Sequence, residues 1–464
     1  MRQGMLKKND IVELTVTDMT FEGLGVARYT GEDLSAFVIF IHGAVIGDIV
    51  DCRIVKILKN HAFAIIENII SPSGDRIHPA CPSFSKCGGC TYQNINYETE
   101  LRYKKNCIVN AFEKNCPDYC CTVEDVEPSP SVSGYRNKVQ YPISADGNFG
   151  FFAKRSHRIV DVNDCFLQDP DFAEIIKTTQ DFIKKFNIKP YDETTGTGFV
   201  RHLYLRKAHA TGEIMVCLVT TGSGLPHKEQ FTSAIAENKN VKSIYLNINK
   251  RRDNVILGRD CILIWGSETI TDILCGLKFR ISPLSFYQTN SEQAENLYNF
   301  VTESDFLTEN DILLDVCSGI GTITLAAAKK VKHAYGVEIV RSAVENAVAN
   351  AAANKIKNAE FFLSDMSEIS ELHDLFAVGS PNVVTLDPPR KGLTEETIAA
   401  LKEYLPDKIV YISCNPATQA RDIQRLNDAE KRYKIERIKP FDMFPRTGHV
   451  ESVCLMKLIR NNLI

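Results

Sequence analysis

The feature that most constrains this chain is the alternation in its last third. A helix is predicted at about Ser291–Thr302, a strand at Ile312–Val316, a helix from about Gly321, a strand at Ala334–Val337 and a helix at about Arg341–Asn354. Apolar strands recur at Glu360–Leu363, Val383–Leu386 and Lys408–Ser413, and Tyr433–Pro440 with Val450–Leu458 reads as a terminal hairpin. Apolar strands alternating with helices form a parallel sheet covered on both faces, so this region is α/β. Open parallel sheets bind ligands beyond the carboxyl ends of their strands, which makes polar residues at those ends the candidates for chemistry.

The rest of the chain has a different rhythm. Residues 1–70 hold five short runs of strand character punctuated by glycine, which predicts a small closed β-barrel. A cysteine-rich stretch follows at 71–92, then a helix within 93–121 with Leu101, Ile108, Val109 and Phe112 at core-facing spacing. Pro128-Ser129-Pro130 breaks the chain. Strands dominate again from about 131 to 281, interrupted by one helix at Phe172–Phe186. The expected domains are a barrel (1–70), a central β-rich domain (71–92 and 126–281) and the α/β domain (93–125 and 282–464).

Bulk properties narrow the class. A chain of 464 residues exceeds one ordinary core. With 44% hydrophobic and 24% charged residues it has a folded protein's composition. No signal peptide and no apolar run of membrane-helix length (~18–20 residues) is present, so the expected location is cytoplasmic, without a membrane partner. Fifteen cysteines in that setting do not argue for disulfides. Cys217, Cys261 and Cys275 lie among apolar residues and read as small buried hydrophobes. The net charge of −4 leaves any nucleic-acid contact to local basic patches.

Leu313 to Thr322 reads strand, glycine turn, helix, with Asp315 ending the strand and Cys317, Gly319, Gly321 and Thr322 in the turn. Glycines let backbone approach a ligand closely. Glu338 ends the next strand, 17 residues after Gly321, where a carboxylate suits ribose hydroxyls. Asp365 follows a third strand, where adenine contacts are expected. A dinucleotide fold would carry a third glycine for helix–sheet packing, and none is present. Together these features resemble the class I S-adenosylmethionine methyltransferase pattern.

Strand Ile409–Ser413 delivers Cys414-Asn415-Pro416 at its carboxyl end, and the preceding strand delivers Asp387-Pro388-Pro389-Arg390. Gly448-His449-Val450-Glu451 brings a carboxylate to the start of the last strand. These motifs, with Phe286-Tyr287-Gln288-Thr289-Asn290 and the glycine turn, resemble the bacterial uracil-5-methyltransferase family acting on RNA, and within it the 23S ribosomal RNA branch. The resemblance spans roughly 170 residues and is specific as a set.

That resemblance implies a mechanism. Uracil C5 is a poor nucleophile toward a methyl sulfonium, and a thiolate adding to C6 turns the base into an enolate with electron density on C5. Cys414 is implied as the nucleophile and Glu451 as the base that removes the C5 proton. Cys414 should then have a depressed pKa and Glu451 one near the operating pH. Gln288 and Asp387 would contact cofactor or uracil. Arg390 stands where amino-group methyltransferases place an aromatic, which fits carbon methylation, and would assist the uracil or a phosphate.

Cys81-x5-Cys87-x2-Cys90 with a remote Cys165 has the donor set of a metal site, with Cys120 or Cys121 as alternative fourth ligands. Four cysteines generically mean zinc, whereas the family resemblance implies a [4Fe-4S] cluster. The Cys-x3-Cys-x2-Cys spacing of radical enzymes is absent. The barrel resembles the TRAM domain of RNA-modifying enzymes, although Lys+Arg is 7 and Asp+Glu is 9 over residues 1–70. Basic groups at Arg136/Lys138, Lys154/Arg155/Arg158 and Lys250–Arg252, with Tyr135, Phe151 and Phe152 among them, are RNA-contact candidates. The target uridine must leave its stack, which favours a loop or single strand. The expected partner is 23S ribosomal RNA, and the expected state a monomer. The rivals are a transfer-RNA uracil-5-methyltransferase, whose relatives usually lack both barrel and cysteine cluster, and an iron–sulfur RNA-binding protein without methylation activity.

Overall fold

The computed structural model describes residues 6–20, 22–30, 36–117, 122–154, 156–162, 164–365, 367–368, 376–427 and 432–460. Cys120, Cys121, Arg155 and Asn163 lie outside the described residues.

Strands β1 (Ile11–Met19), β2 (Leu24–Thr30), β3 (Ala36–His42), β4 (Ile49–Ile57) and β5 (His61–Ser71) close into a barrel in the order β1-β2-β3-β5-β4. Alternate residues such as Val16, Ile39, Ile41, Val50 and Ala62 fill it, as the two-residue period of a strand requires. Helix α1 (Tyr97–Asn115) follows. Its Asn96 cap accepts the Thr99 N–H at 2.8 Å, and Glu98 and Glu100 in the first turn favour the helix amino end. Ile108 and Phe112 bury against the α/β sheet. Truncating either to alanine is expected to cost roughly 2–5 kcal/mol.

The central domain holds β6 (Lys138–Pro142), a short hairpin of β7 (Gly150–Phe152) and β8 (Ile159–Asp161), α2 (Phe172–Lys185), β9 (Val200–Lys207), β10 (Ile214–Thr220), α3 (Lys228–Ala236), β11 (Val241–Ile248) and β12 (Asp260–Gly266). Its five-stranded sheet runs β12-β11-β10-β9-β6. Helix α3 is a second helix where one was expected. The hairpin of β13 (Ile270–Leu274) and β14 (Leu277–Ile281) shares a core with Tyr204 and Cys217 of the central sheet and with Leu297 and Leu313 beyond it. One apolar core thus crosses the boundary expected near residue 281.

The last unit contains α4 (Ser291–Glu303), β15 (Ile312–Asp315), α5 (Thr322–Ala328), β16 (His333–Glu338), α6 (Arg341–Ala353), β17 (Ala359–Leu363), β18 (Val383–Leu386), α7 (Glu395–Tyr404), β19 (Lys408–Ser413), α8 (Pro416–Asn427), β20 (Tyr433–Phe441) and β21 (Glu451–Leu458). The sheet order is β17-β16-β15-β18-β19-β21-β20. The first five strands are parallel, and β20 and β21 are antiparallel additions. This is the expected α/β sheet. Because β21 runs opposite to β19, the start of β21 lies at the same rim as the end of β19. Among the described residues, no helix is long and apolar enough to cross a membrane.

Candidate active site

Cys414 directly follows β19 and Glu451 opens β21. The antiparallel register ends on Ser413 paired with Ser452, so Cys414 and Glu451 are the residues just beyond that last pair, and the Glu451 charge acts on the Cys414 thiol. Arg390 sits near both: its charge acts on the Cys414 thiol and on Glu451. The backbone carbonyl of Arg390 accepts the Asn415 side-chain amide at 3.1 Å, which ties the Asp387–Arg390 loop to the cysteine loop. His449 Nε2 lies 3.4 Å from the Arg390 guanidinium.

The electrostatics differ from expectation at Cys414. Burial pushes its thiol up to about 11, Glu451 pushes the same way, and Arg390 only partly offsets them. The depressed pKa expected for this thiol is therefore not found, because a half-buried thiol facing a carboxylate is a poor place for a second negative charge. Glu451 is 7% exposed, and burial followed by Asp387 raises it to about 8. Burial, with Arg390 next, lowers His449 to about 4 and keeps it neutral near pH 7.

The neighbouring strand ends form the second part of the site. Asp315 is fully buried: its Oδ2 accepts the Thr324 hydroxyl at 2.6 Å, and its Oδ1 has no partner. Burial raises Asp315 and Asp387 each to about 7, and the Asp315 charge adds to the rise at Asp387. Burial, then Asp387 and Asp315, pushes the Cys317 thiol upward. Gly321 stands at φ +84°, and a Cβ there would lie 2.8 Å from the Phe361 ring, so the turn needs glycine at that point. Gly319, at φ +54°, has open space where its Cβ would be.

Glu338 is committed to the turn. It accepts the Gly319 N–H at 3.0 Å and the Val340 N–H at 2.9 Å. Asp365 is exposed and accepts the Ser367 N–H and hydroxyl, at 2.9 and 2.7 Å. Thr322 opens α5, with its hydroxyl 3.3 Å from that of Tyr298. Gln288 lies close enough to the Tyr298 hydroxyl to offset part of its upward shift by burial. Tyr298 and Asn137 escaped sequence reasoning. Tyr298 is one buried aromatic on a helix face, with no motif around it. Asn137 stands between two cations that drew attention instead; its side-chain amide donates to the Gln288 carbonyl and the Ser291 hydroxyl, both at 2.9 Å.

Cys81, Cys87, Cys90 and Cys165 line one cavity of about 390 Å³. Arg136 faces Cys90 and Cys165. Gly89 N–H donates to Cys87 Sγ (3.4 Å) and the Gln93 amide to Cys90 Sγ (3.2 Å). The same cavity reaches Thr289, Arg390 and His449 at the catalytic rim, and among the described residues its walls contain no Asp or Glu. Three or more Cys, His, Asp or Glu side chains placed around a single metal ion are not found among the described residues. Of the basic candidates, Lys138 and Arg136 line this cavity, whereas Arg251 pairs with Asp253 at the surface.

A tRNA (Uracil-5-)-methyltransferase family profile matches residues 227–459, and a TRAM domain profile matches residues 6–66. An "uncharacterized RNA methyltransferase" of Clostridium tetani (strain Massachusetts / E88) is 40% identical over 456 residues, 97% of each chain. Another, from Halalkalibacterium halodurans, is 38% identical over 461 residues, covering 98% of this chain and 99% of the relative. The solved structure of Pyrococcus abyssi tRNA (uracil-54, C5)-methyltransferase in complex with S-adenosyl-L-homocysteine superposes with a TM-score of 0.77 at 29% identity, covering 96% of this chain and 100% of that one.

Proposed function

The chain belongs to the RNA uracil-5-methyltransferase family, and from that premise we propose that it methylates C5 of a uridine in 23S ribosomal RNA through a covalent bond between Cys414 and uracil C6. It is an S-adenosylmethionine-dependent enzyme whose amino-terminal barrel is a TRAM domain. The observation that carries the covalent reading is that Cys414 and Glu451 flank the last β19–β21 pair, close enough for the Glu451 charge to act on the thiol and for Arg390 to act on both.

When bound, S-adenosylmethionine supplies an electrophilic methyl group on a cationic sulfonium. The residues that would hold it are Gln288, Asp315, Cys317, Gly319, Gly321, Thr322, Glu338, Asp365 and Asp387. The partnerless Asp315 Oδ1, the second buried carboxylate at Asp387 and the open space at Gly319 fit a ligand carrying an ammonium and a sulfonium.

The chain's own residues do the rest. Arg390 lowers the cost of ionising Cys414, and the thiolate adds to C6, leaving C5 electron-rich. Once C5 carries the methyl group, Glu451 takes the C5 proton. The electron pair returns to form the C5–C6 double bond as the Sγ–C6 bond breaks, which restores the thiolate. A carboxyl held at about 8 is a stronger base than an ordinary one once ionised, and since only its minor ionised form at pH 7 can take the proton, the transfer is favoured above neutral pH.

Cys81, Cys87, Cys90 and Cys165 are proposed to hold a [4Fe-4S] cluster. The support is the all-thiol donor set, its spacing and the shared cavity. Iron and sulfide analysis of anaerobically purified protein tests this, and stoichiometric zinc would overturn it.

The Pyrococcus structure favours a second reading, a uridine in transfer RNA, because that enzyme matches nearly the whole chain. The 23S reading rests on the cysteine motif. Mass mapping of 5-methyluridine in both RNAs from a deletion strain separates them. Loss in 23S RNA, restored by the wild-type gene and not by Cys414→Ser, is expected; loss confined to transfer RNA would overturn the ribosomal assignment.

A further inference from the structure

Phe441, the last residue of β20, pairs across the ladder with Glu451, the first residue of β21. The turn between them, Asp442 to Val450, therefore decides where the Glu451 carboxyl begins its reach. A nine-residue turn on a protein surface is ordinarily mobile. This one is tied down from four directions.

Helix α1 supplies the first tie. Lys104 is 1% exposed, and its ammonium bonds Asp442 at 2.6 Å, Glu100 at 2.7 Å and the Phe444 carbonyl at 3.2 Å. Tyr97, from the same helix, donates to the second Asp442 oxygen at 2.8 Å. The segment after Cys90 supplies the next: Thr91 and Tyr92 N–H both donate to the Arg446 carbonyl, at 2.8 and 3.1 Å. Central-domain Tyr135 donates to the Pro445 carbonyl at 3.0 Å. Asn290, which also caps α4, donates to the Met443 carbonyl at 3.2 Å.

Arg446 itself stands at φ +66°, a conformation that costs a non-glycine residue energy and persists only when its surroundings impose it. Its guanidinium bonds the Ile95 carbonyl at 3.1 Å, and its N–H donates to Glu100 at 2.7 Å. A buried ammonium shared by two fully buried carboxylates is a poor way to gain stability, since desolvation consumes most of the attraction. It is a good way to hold one geometry.

We propose that Lys104 and Arg446 are positioning residues for the base Glu451, and that through the Asp442–Thr447 turn they lock the segment after Cys90 and the catalytic rim into one unit. The inference rests on the covalent reading above. Neither residue touches the reacting atoms. They hold the turn whose exit places Glu451 opposite Cys414 and His449 beside Arg390.

The test compares wild type, Glu451→Gln, Lys104→Met, Arg446→Ala and Arg446→Gly, using transcripts of 23S RNA and transfer RNA as probes. A displaced base slows loss of the C5 proton after the thiolate has added. Lys104→Met and Arg446→Ala are therefore expected to accumulate the RNA–protein adduct on denaturing gels. Their kcat should fall at least tenfold with little change in KM for S-adenosylmethionine. The inflection of rate against pH should move as well, because Glu451 faces Asp387, Arg390 and Cys414 differently once the turn shifts. Arg446→Gly keeps the backbone conformation without its strain and is expected to fall between Arg446→Ala and wild type, which covers the case in which Lys104→Met fails to fold.

A lowered melting temperature with wild-type kcat, pH inflection and adduct level would show a merely structural role and overturn the inference. Absence of an adduct in Glu451→Gln with a competent RNA would instead overturn the covalent reading.

Discussion

The thiols of Cys414 and Cys90 are both pushed upward, to about 11 and about 12, and burial is the first cause in each. Their surroundings are opposite. The rim around Cys414 gathers three carboxyls, Asp315, Asp387 and Glu451, each raised by burial. The cavity around Cys90 has Arg136 and Lys138 in its walls and no Asp or Glu among the described residues. A thiol's free-state pKa therefore does not single out Cys414, the proposed nucleophile. What separates the two is company: Cys414 has one cation in contact and a carboxyl opposite it, whereas Cys90 has three further thiols around a shared space.

The sharpest way to break that contrast is at the nucleophile. Cys414→Ser is expected to lower methyl incorporation by at least about 10⁴-fold, while calorimetry finds S-adenosylmethionine binding unchanged. Measurable turnover at a tenth of wild type would end the covalent reading. Next in size is Glu451→Gln, expected to slow turnover by about 10²–10⁴-fold, within the range for a general base. It should leave a slowly resolving RNA adduct, visible as a retarded band.

Removing the cation comes third. Arg390→Ala deletes the one group that favours the Cys414 thiolate. Turnover should fall by about 10–100-fold, roughly the effect of one to two pKa units. The alkaline rise in rate should move to higher pH. A change in KM for RNA alone would place Arg390 on the RNA phosphates instead.

The acid-rich rim predicts a pH effect of its own. Glu451 in the folded protein lies at about 8, above the ordinary 4.5. The folded state therefore keeps this proton from about 4.5 to 8. The stability so gained is full below 4.5 and is lost as pH rises through 8. Activity runs the other way, since the base must be ionised, so kcat/KM should climb between about pH 7 and 9. Asp315 and Asp387 ionise near 7, so S-adenosylmethionine should bind several-fold more tightly at pH 8 than at pH 6. The smallest effect on chemistry is expected from Cys87→Ser, which should lower iron content and melting temperature more than kcat. A larger loss of kcat than of stability would show that the two thiol sites are less separate than their surroundings imply.

The α/β unit was legible because its strands are buried on both faces and read as apolar runs; β18 and β19 fall on their expected bounds. Other elements left fainter traces. β13 and β14 are joined by Cys275-Gly276, both at positive φ, where an Asn-Gly pair would have announced the hairpin. Helix α8 opens on Pro416, a favoured first helical residue, but the surrounding motif drew the eye to chemistry. β7 and β8 span three residues each, too short for any period to show.

By itself the sequence determined which strand ends carry reactive groups, because strand polarity and motif order follow from the chain's local pattern. It also offered four cysteines as candidate ligands. Only the tertiary structure decided how those groups tune one another. The rise of Cys414, the facing of Glu451 and the grip of Lys104 on Asp442 across 338 positions depend on desolvation and on contacts between distant segments. Local pattern carries no record of either, since both arise only when the chain closes on itself and excludes water.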